Sequence, residues 1–554
     1  MGCVVSNPVR YRLVLGLLFT AVLLPLGSPR SEELHNLEIV FRKSYTEWDP
    51  DTIKGFGYRL CAAGDVNGDG YDDFAAEGWD YRVSPAGWRS IVFVFYGGSD
   101  LDTIPDVLLE DDYWGGSAGG GIAGGDVNGD GFSDVVVGLP YGPGNIDVYF
   151  GGDPMDATVD LILFEEPPEL YFGYAVATGD VNGDGYCDIV ASDYYKNSGI
   201  GAAYVFYGGP LLDNVPDITL RGHGYEGFGT SLASGGDVNS DGYDDIVVGA
   251  WDNDDLYGDA GRIYIYYGGN PMDTVYDTAM YGEGAGHLLG WAPVSICREA
   301  SAFDYVVAGT QFWPVGFPGT GPGKVYVLLG GDPMDGVPDV WMHGQTDSTR
   351  LGPVSGAGDV DGDGTDDIIA GAHAEFGRTG SIYLWHGGSG MDTIPDGWMI
   401  GDSAFAELGW TVSSAGDVNG DGRDEVLFSN YADDAPAHTV WVCRYTGTGV
   451  NEGVFKTSPD VERCGIRCQP NPFSKSTVVR LIVDGGTPHL RQADARVAVH
   501  DVAGRVVRRL LLSSSSLQAV WDGRDDEQRP VPSGTYFVRA EGIQSAECRL
   551  VLVR

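Results

Sequence analysis

Six times in its 554 residues the chain places oxygen-bearing side chains at alternating positions of a short glycine-containing stretch. The stretches read GDVNGDGYDD from Gly64, GDVNGDGFSD from Gly125, GDVNGDGYCD from Gly179, GDVNSDGYDD from Gly236, GDVDGDGTDD from Gly358 and GDVNGDGRDE from Gly416. Counted from the first Asp, positions 1, 3, 5 and 9 are Asp65, Asn67, Asp69 and Asp73; Asp126, Asn128, Asp130 and Asp134; and Asp180, Asn182, Asp184 and Asp188. They continue as Asp237, Asn239, Asp241 and Asp245; Asp359, Asp361, Asp363 and Asp367; and Asp417, Asn419, Asp421 and Glu425. The glycine at position 6 lets the backbone curl, so that a carbonyl near position 7 also turns inward, from Tyr71, Phe132, Tyr186, Tyr243, Thr365 or Arg423.

Many protein oxygens with no nitrogen or sulfur suit a hard cation. Flexible, protein-supplied ligands favour Ca2+ over magnesium, and the lack of His or Cys disfavours zinc, so about six calcium ions are expected. A helical calcium hand is disfavoured, because the last acid falls at position 9 rather than 12 and β-type sequence flanks it. The six stretches hold 23 carboxylates, whose mutual repulsion should couple metal binding to folding. The weakest affinity is expected in the last stretch, which carries Arg423 and ends in the longer Glu425.

The elements that must position these loops follow from their period. The leading Asp residues are separated by 61, 54, 57, 122 and 58 residues, and the doubled interval hides a further unit. Leu289, Gly290 and Trp291 open that unit, and DYVVAG from Asp304 matches DDIVVGA from Asp244, but the acidic stretch is gone. Each unit continues with an apolar run, a variable loop, an alternating strand ending in an aromatic and two glycines (IYIYYGG from Ile263), and a turn such as MDTVYD from Met272. About four strands per unit are predicted, and a four-stranded sheet cannot bury both faces alone. Seven such sheets arranged radially can, which predicts an all-β, seven-bladed propeller over residues 36–447 with calcium loops in six blades.

These units resemble the FG-GAP repeats of integrin α chains. The resemblance rests on Phe56-Gly57, Phe172-Gly173 and Phe228-Gly229, and on Gly249-Ala250-Trp251 and Gly371-Ala372-His373 at the second half of the motif. The seventh unit ends at a third strand, so NLEIVFRKSY from Asn36 is expected to supply its fourth. Strand direction alternates, so the loops joining second to third strands share the face opposite the acidic loops. The resemblance implies that this face carries the ligand site. Its candidate rings are Trp79, Trp88, Tyr141, Tyr195, Trp251, Tyr257, Trp313 and Phe376, which suit an extracellular protein or glycan ligand.

Catalysis finds little support. The GGSAG from Gly115 lacks the strand-to-helix context of a nucleophile elbow, and the nine histidines show no H-E-x-x-H pattern. A polysaccharide-active lyase or hydrolase built on a propeller is the alternative.

The net charge of −47 resides upstream of the tail, since residues 455–554 hold 15 basic and 11 acidic side chains. So acidic a body disfavours nucleic acid and anionic lipid. Arg10 and Arg12 precede the apolar run Leu13 to Leu26, which reads as a signal peptide over residues 1–27 with no transmembrane span in the mature chain. Cys464 and Cys468 are close enough in sequence to bridge, while the other cysteines are scattered.

Beyond a linker at 448–467, alternating strands over 468–554 predict a small Ig-like β-sandwich. Pro470-Asn471-Pro472-Phe473, Asp501-Val502-Ala503-Gly504-Arg505, Trp521-Asp522-Gly523 and Ser533-Gly534-Thr535-Tyr536 resemble the flagellar-hook-cap-like Ig domain, similar to type IX secretion sorting domains. That resemblance implies secretion machinery as a partner and a secreted or cell-surface location, on the bacterial outer membrane exterior.

Overall fold

The computed structural model describes residues 33–46, 53–80, 89–110, 120–141, 144–164, 171–300, 303–311, 321–344, 349–388, 390–403, 405–431 and 437–447, together with 464–469, 477–483, 496–501, 505–511, 518–525, 529–532, 534–540 and 547–552. The proposed signal peptide, Trp88 and Trp313 lie outside the described residues. The chain divides into two units, Met1–Asn451 and Glu452–Arg554.

The first unit is a seven-bladed all-β propeller. Blade one comprises Leu60–Gly64, Asp73–Asp80, Arg89–Phe95 and Val107–Glu110, with Ile53–Lys54 added beside Asp73–Asp80. Blades two to five repeat the four-stranded antiparallel plan, and their first strands are Ile122–Gly125, Val176–Gly179, Phe228–Ala233 and Val294–Cys297. Blade six runs from Val354–Gly358 to Gly397–Ile400, and blade seven from Leu408–Gly416 to Ala437–Tyr445. Each first strand touches the first strand of the next blade, and that of blade seven touches that of blade one, which closes the ring.

Closure uses the beginning of the described chain. Leu37–Thr46 pairs antiparallel with Ala437–Tyr445, from Leu37 opposite Tyr445 to Thr46 opposite Ala437, as the missing fourth strand of blade seven. The chain also reaches one blade further than its pattern suggests, because Glu33–His35 pairs with Gly397–Ile400 as a fifth strand of blade six. Asn36, at φ 53°, makes the turn between the two pairings, and its side-chain amide donates to the Asp396 carbonyl at 2.7 Å. An Asn tolerates this left-handed conformation better than most residues.

The core lies between blades. Phe56, Phe172, Phe228, Leu289, Leu351 and Leu408, which open their units, are all buried. Phe41 of the closing strand stands edge-on to Phe74 and Phe95 of blade one, with centroids 5.1 and 5.2 Å away, so the closing strand also seals the seam.

The second unit has two antiparallel sheets, one of Cys464–Gln469, Thr477–Val483 and Gln518–Trp521, the other ordered Val506–Leu511, Arg496–Asp501, Gly534–Ala540 and Glu547–Leu552. Buried Trp521 from the first sheet meets Tyr536 from the second edge-on at 5.1 Å. The first strand starts inside the stretch expected to be linker. It also separates Cys464 from Cys468 by four residues of extended chain, about 13 Å, which corrects the expectation that they can bridge.

Candidate metal centre

Each acidic loop joins the first and second strands of its blade, and its valine at position 2 anchors it. Val66, Val127, Val181, Val238, Val360 and Val418 are all buried. In the first loop the Asp65 carboxylate accepts backbone N–H groups from Gly68 at 2.7 Å, Asp69 at 3.0 Å and Gly70 at 2.9 Å, so the chain wraps around that side chain. Asn67 Oδ1 accepts the Asp69 N–H at 2.8 Å, and Asp69 Oδ1 accepts that of Tyr71 at 3.1 Å. The second loop repeats these bonds around Asp126, Asn128 and Asp130, and the others retain most of them.

The residue at position 9 begins the second strand, or in blade four immediately precedes it, and is buried in every loop: Asp73, Asp134, Asp188, Asp245, Asp367 and Glu425. Asp73 Oδ2 accepts the Val66 N–H at 2.9 Å and Oδ1 the Gly97 N–H at 2.7 Å, tying the loop to the glycine pair that ends the third strand. Burial, aided by the charges at positions 1 and 5, pushes the carboxyls of Asp73, Asp134 and Asp188 up to about 7 and that of Asp245 up to about 8, and burial with the charges of Asp361 and Asp363 pushes Asp367 up to about 8. Glu425 is likewise pushed up to about 8, chiefly by burial, and its Oε2 is buried with no hydrogen-bond partner. In blade six, oxygens of Asp359, Asp361 and Asp367 converge within 4.8 Å of one another. Buried carboxylates pushed toward neutrality, an orphaned oxygen and an all-oxygen donor set fit a hard divalent cation, whose charge would relieve the crowding.

Two features of the loops escape a reading of one unit at a time. The residue at position 8 laces each blade to the one before it. Its N–H donates to the carbonyl of that blade's position 1, as Ser133 does to Asp65 at 2.9 Å and Asp72 to Asp417 at 3.3 Å. Where it is an acid, as in Asp72, Asp244, Asp304, Asp366 and Asp424, its carboxylate accepts an N–H from the preceding blade at 2.7–2.9 Å. The position-7 side chain, meanwhile, lies on the preceding loop's position 4. A Cβ on Gly68 would stand 2.5 Å from Phe132, and one on Gly183 2.7 Å from Tyr243. Ser240 takes that place in blade four, at φ 62°, where blade five has no acidic loop to press on it.

On the opposite face the candidate rings separate. Trp79 is only 8% exposed and meets Tyr58 and Tyr431 edge-on at 5.4 and 5.7 Å, so it fills the seam between blades one and seven rather than presenting a surface. Tyr141 packs edge-on against Tyr171 at 5.7 Å, and Trp251 against Trp291 at 5.0 Å, both half-buried. Tyr195, Tyr257 and Phe376 remain open, at 47%, 52% and 43% exposure.

Comparison with known proteins agrees with this architecture. The FG-GAP repeat family matches residues 228–266, 351–385 and 408–443, and the FG-GAP-like repeat family matches 126–191. Integrin alpha-5 of Xenopus laevis is 29% identical over 232 residues, which is 38% of this chain and 21% of that protein. Integrin alpha pat-2 of Caenorhabditis elegans is 31% identical over 234 residues, 37% of this chain and 18% of that protein. Integrin alpha-3 of Mus musculus is 41% identical over 103 residues, 18% of this chain and 9% of that protein. The chain thus spans about a fifth or less of the length of these relatives. It carries an integrin-α-like propeller of FG-GAP repeats. Among the described residues no helix is long and apolar enough to cross a membrane.

Proposed function

We propose that the chain is an exported, calcium-binding propeller that serves as a secreted or cell-surface binding and adhesion module for an extracellular protein or glycan. The observation that carries this reading is the division of labour between the faces. On one stand six acidic loops, cross-laced at the seams, whose oxygens converge within 4.8 Å of one another in blade six. On the other, Tyr195, Tyr257 and Phe376 stand open on the loops between second and third strands.

In this reading Asp65, Asn67, Asp69 and Asp73, with their counterparts in the other five loops, hold Ca2+, whose charge offsets the carboxylates and stiffens the disc. Residues 1–27 direct export, and the 468–554 region serves as an Ig-like sorting domain for type IX secretion.

The test is a glycan and matrix-protein array probed with the full chain, with and without calcium. Binding that is lost on chelation and returns with Ca2+ is expected, with about six ions per chain by elemental analysis. A chelator titration that leaves the melting temperature unmoved removes calcium from the reading, and a silent array removes adhesion.

A further inference from the structure

Blade six departs from the other acidic loops at two places that face each other. At position 3 it carries Asp361, where the other five loops carry Asn67, Asn128, Asn182, Asn239 and Asn419. At the end of its third strand, before the two glycines, it carries His386, where blades one to four carry Tyr96, Phe150, Tyr207 and Tyr267.

In each of those five loops the Asn amide donates to a carboxylate of its own loop. It reaches position 5 from Asn67, Asn128 and Asn239, at 3.1, 3.0 and 2.9 Å, and position 9 from Asn182 and Asn419. A carboxylate cannot donate, so Asp361 removes that bond and adds a charge to a loop that already holds Asp359, Asp363 and Asp367. Its Oδ1 keeps the role of the Asn oxygen and accepts the Asp363 N–H at 3.0 Å. Its Oδ2, which replaces the amide nitrogen, lies 3.4 Å from His386 Nδ1.

The imidazole is held for this contact. The His386 backbone N–H donates to Asp396 Oδ2 at 2.9 Å, and the ring stands edge-on to Tyr445 of blade seven with centroids 4.8 Å apart. Asp396 Oδ1 lies 3.7 Å from the same Nδ1, while Nε2 is buried with no hydrogen-bond partner. Two carboxylate oxygens face one nitrogen and no partner reaches the other, so a ring proton belongs on Nδ1.

Among the described residues, carboxylate oxygens from three residues come within 4.8 Å of one another in this acidic loop, those of Asp359, Asp361 and Asp367, and in no other of the six. The extra carboxylate is therefore drawn into the cluster. Four carboxylates at positions 1, 3, 5 and 9, against three in each other loop, raise the affinity of an oxygen cage for Ca2+. They also repel one another, so Asp361 needs a donor behind it.

We propose that His386 is a positioning residue for the blade-six metal site. Its Nδ1–H holds the Asp361 carboxylate beside those of Asp359 and Asp367, and this loop binds Ca2+ most tightly of the six, filling first and emptying last. The proposal rests on the calcium reading of the acidic loops, and it adds to that reading an order and the residue that sets it.

The test follows the full chain, loaded with calcium, through a series of buffers of falling free Ca2+, with hydrogen exchange of each loop read by mass spectrometry. Residues 359–367 should be the last loop to lose protection. His386→Phe should move the blade-six midpoint to about ten-fold higher free Ca2+, the usual loss when the hydrogen-bond partner of a metal ligand is removed. His386→Asn, whose amide nitrogen sits near the place of Nδ1, should restore most of that shift. Asp361→Asn carries its own donor, so it should bring blade six level with its neighbours, and adding His386→Phe to it should move the midpoint no further. That comparison separates positioning from packing against Tyr445, since a ring that merely packs is missed equally in both backgrounds.

An order in which another loop empties last, an equal loss in His386→Phe and His386→Asn, or an equal effect of His386→Phe with and without Asp361 overturns the proposal. Should His386→Phe fail to fold, the order of loss in the unaltered chain and its change in Asp361→Asn decide. Loops indifferent to calcium throughout would remove the calcium reading itself, whereas calcium-dependent protection lost in a different order removes only the role of His386 and the lead of blade six.

Discussion

The Asp72 carboxylate accepts the backbone N–H of Asp417 at 2.9 Å, while the Asp72 N–H is given to the Asp417 carbonyl at 3.3 Å. The eighth residue of the first acidic loop thus grips the first residue of the last, across the seam where the ring closes. Asp72→Ala should leave the Asp417 N–H without its side-chain acceptor at the seam and cost about 1–3 kcal/mol. Asp72→Asn keeps a carbonyl acceptor and should remain near the parent. Urea denaturation of the two variants measures the difference.

Glycines within one loop should differ in their tolerance of a side chain. Gly70, at φ 90°, has open space within 4 Å of where a Cβ would stand, so Gly70→Ala should cost only backbone strain, about 1 kcal/mol. Gly68, at φ 75°, faces Phe132 at 2.5 Å, so Gly68→Ala adds a clash at the seam between blades one and two. The second variant should melt lower than the first in thermal denaturation, and equal melting would show that the ring moves aside freely.

The closing strand should contribute more through burial than through its ion pair. Phe41→Ala removes a ring packed edge-on against the stacked pair Phe74 and Phe95 and should destabilise the propeller by about 3–5 kcal/mol. Glu38→Ala breaks an exposed, solvent-screened pair with Arg444 and should leave the denaturation midpoint nearly unchanged. Deletion of residues 33–46 should remove the cooperative thermal transition, because it unpairs the outer edges of blades six and seven together.

Histidine burial predicts acid sensitivity in blade five. Burial lowers the His287 imidazole from 6.5 to about 4; its Nδ1 accepts the Glu283 N–H at 3.0 Å, so the ring is neutral when folded. Because the folded value is lowered, the unfolded chain binds the extra proton first. The resulting stability is present above about 6.5 and is lost as pH falls from there toward 4. His287→Gln should flatten this part of the pH profile by about 1–3 kcal/mol, read from denaturation midpoints at the two ends of that window.

Much of the architecture was legible because its signals are local. Four oxygens within nine residues, repeated at nearly constant spacing, need no tertiary information to be read as loop, copy number and ring. The open edge of the seventh unit likewise pointed to Leu37–Thr46, since an unpaired edge strand must find a partner. The pairing of Glu33–His35 with blade six was not legible: three residues carry too little pattern to choose a sheet. Trp79 looked like a surface ring of the loop between second and third strands, but the strand Asp73–Asp80 runs on through it, and Tyr58, with Tyr431 from blade seven, packs against it.

By itself, then, the chain specifies its repeated unit, its oxygen-rich turns and the number of its blades, because each follows from side-chain alternation and spacing over a few residues. Only the closed ring decides what stands at the seams: the grip of Asp72 on Asp417 and the ring of Phe132 over Gly68. Those relationships join residues from different elements, and in the seam between Asp72 and Asp417 from opposite ends of the propeller. Their geometry is set by how many twisted sheets must share one axis, which no single unit encodes.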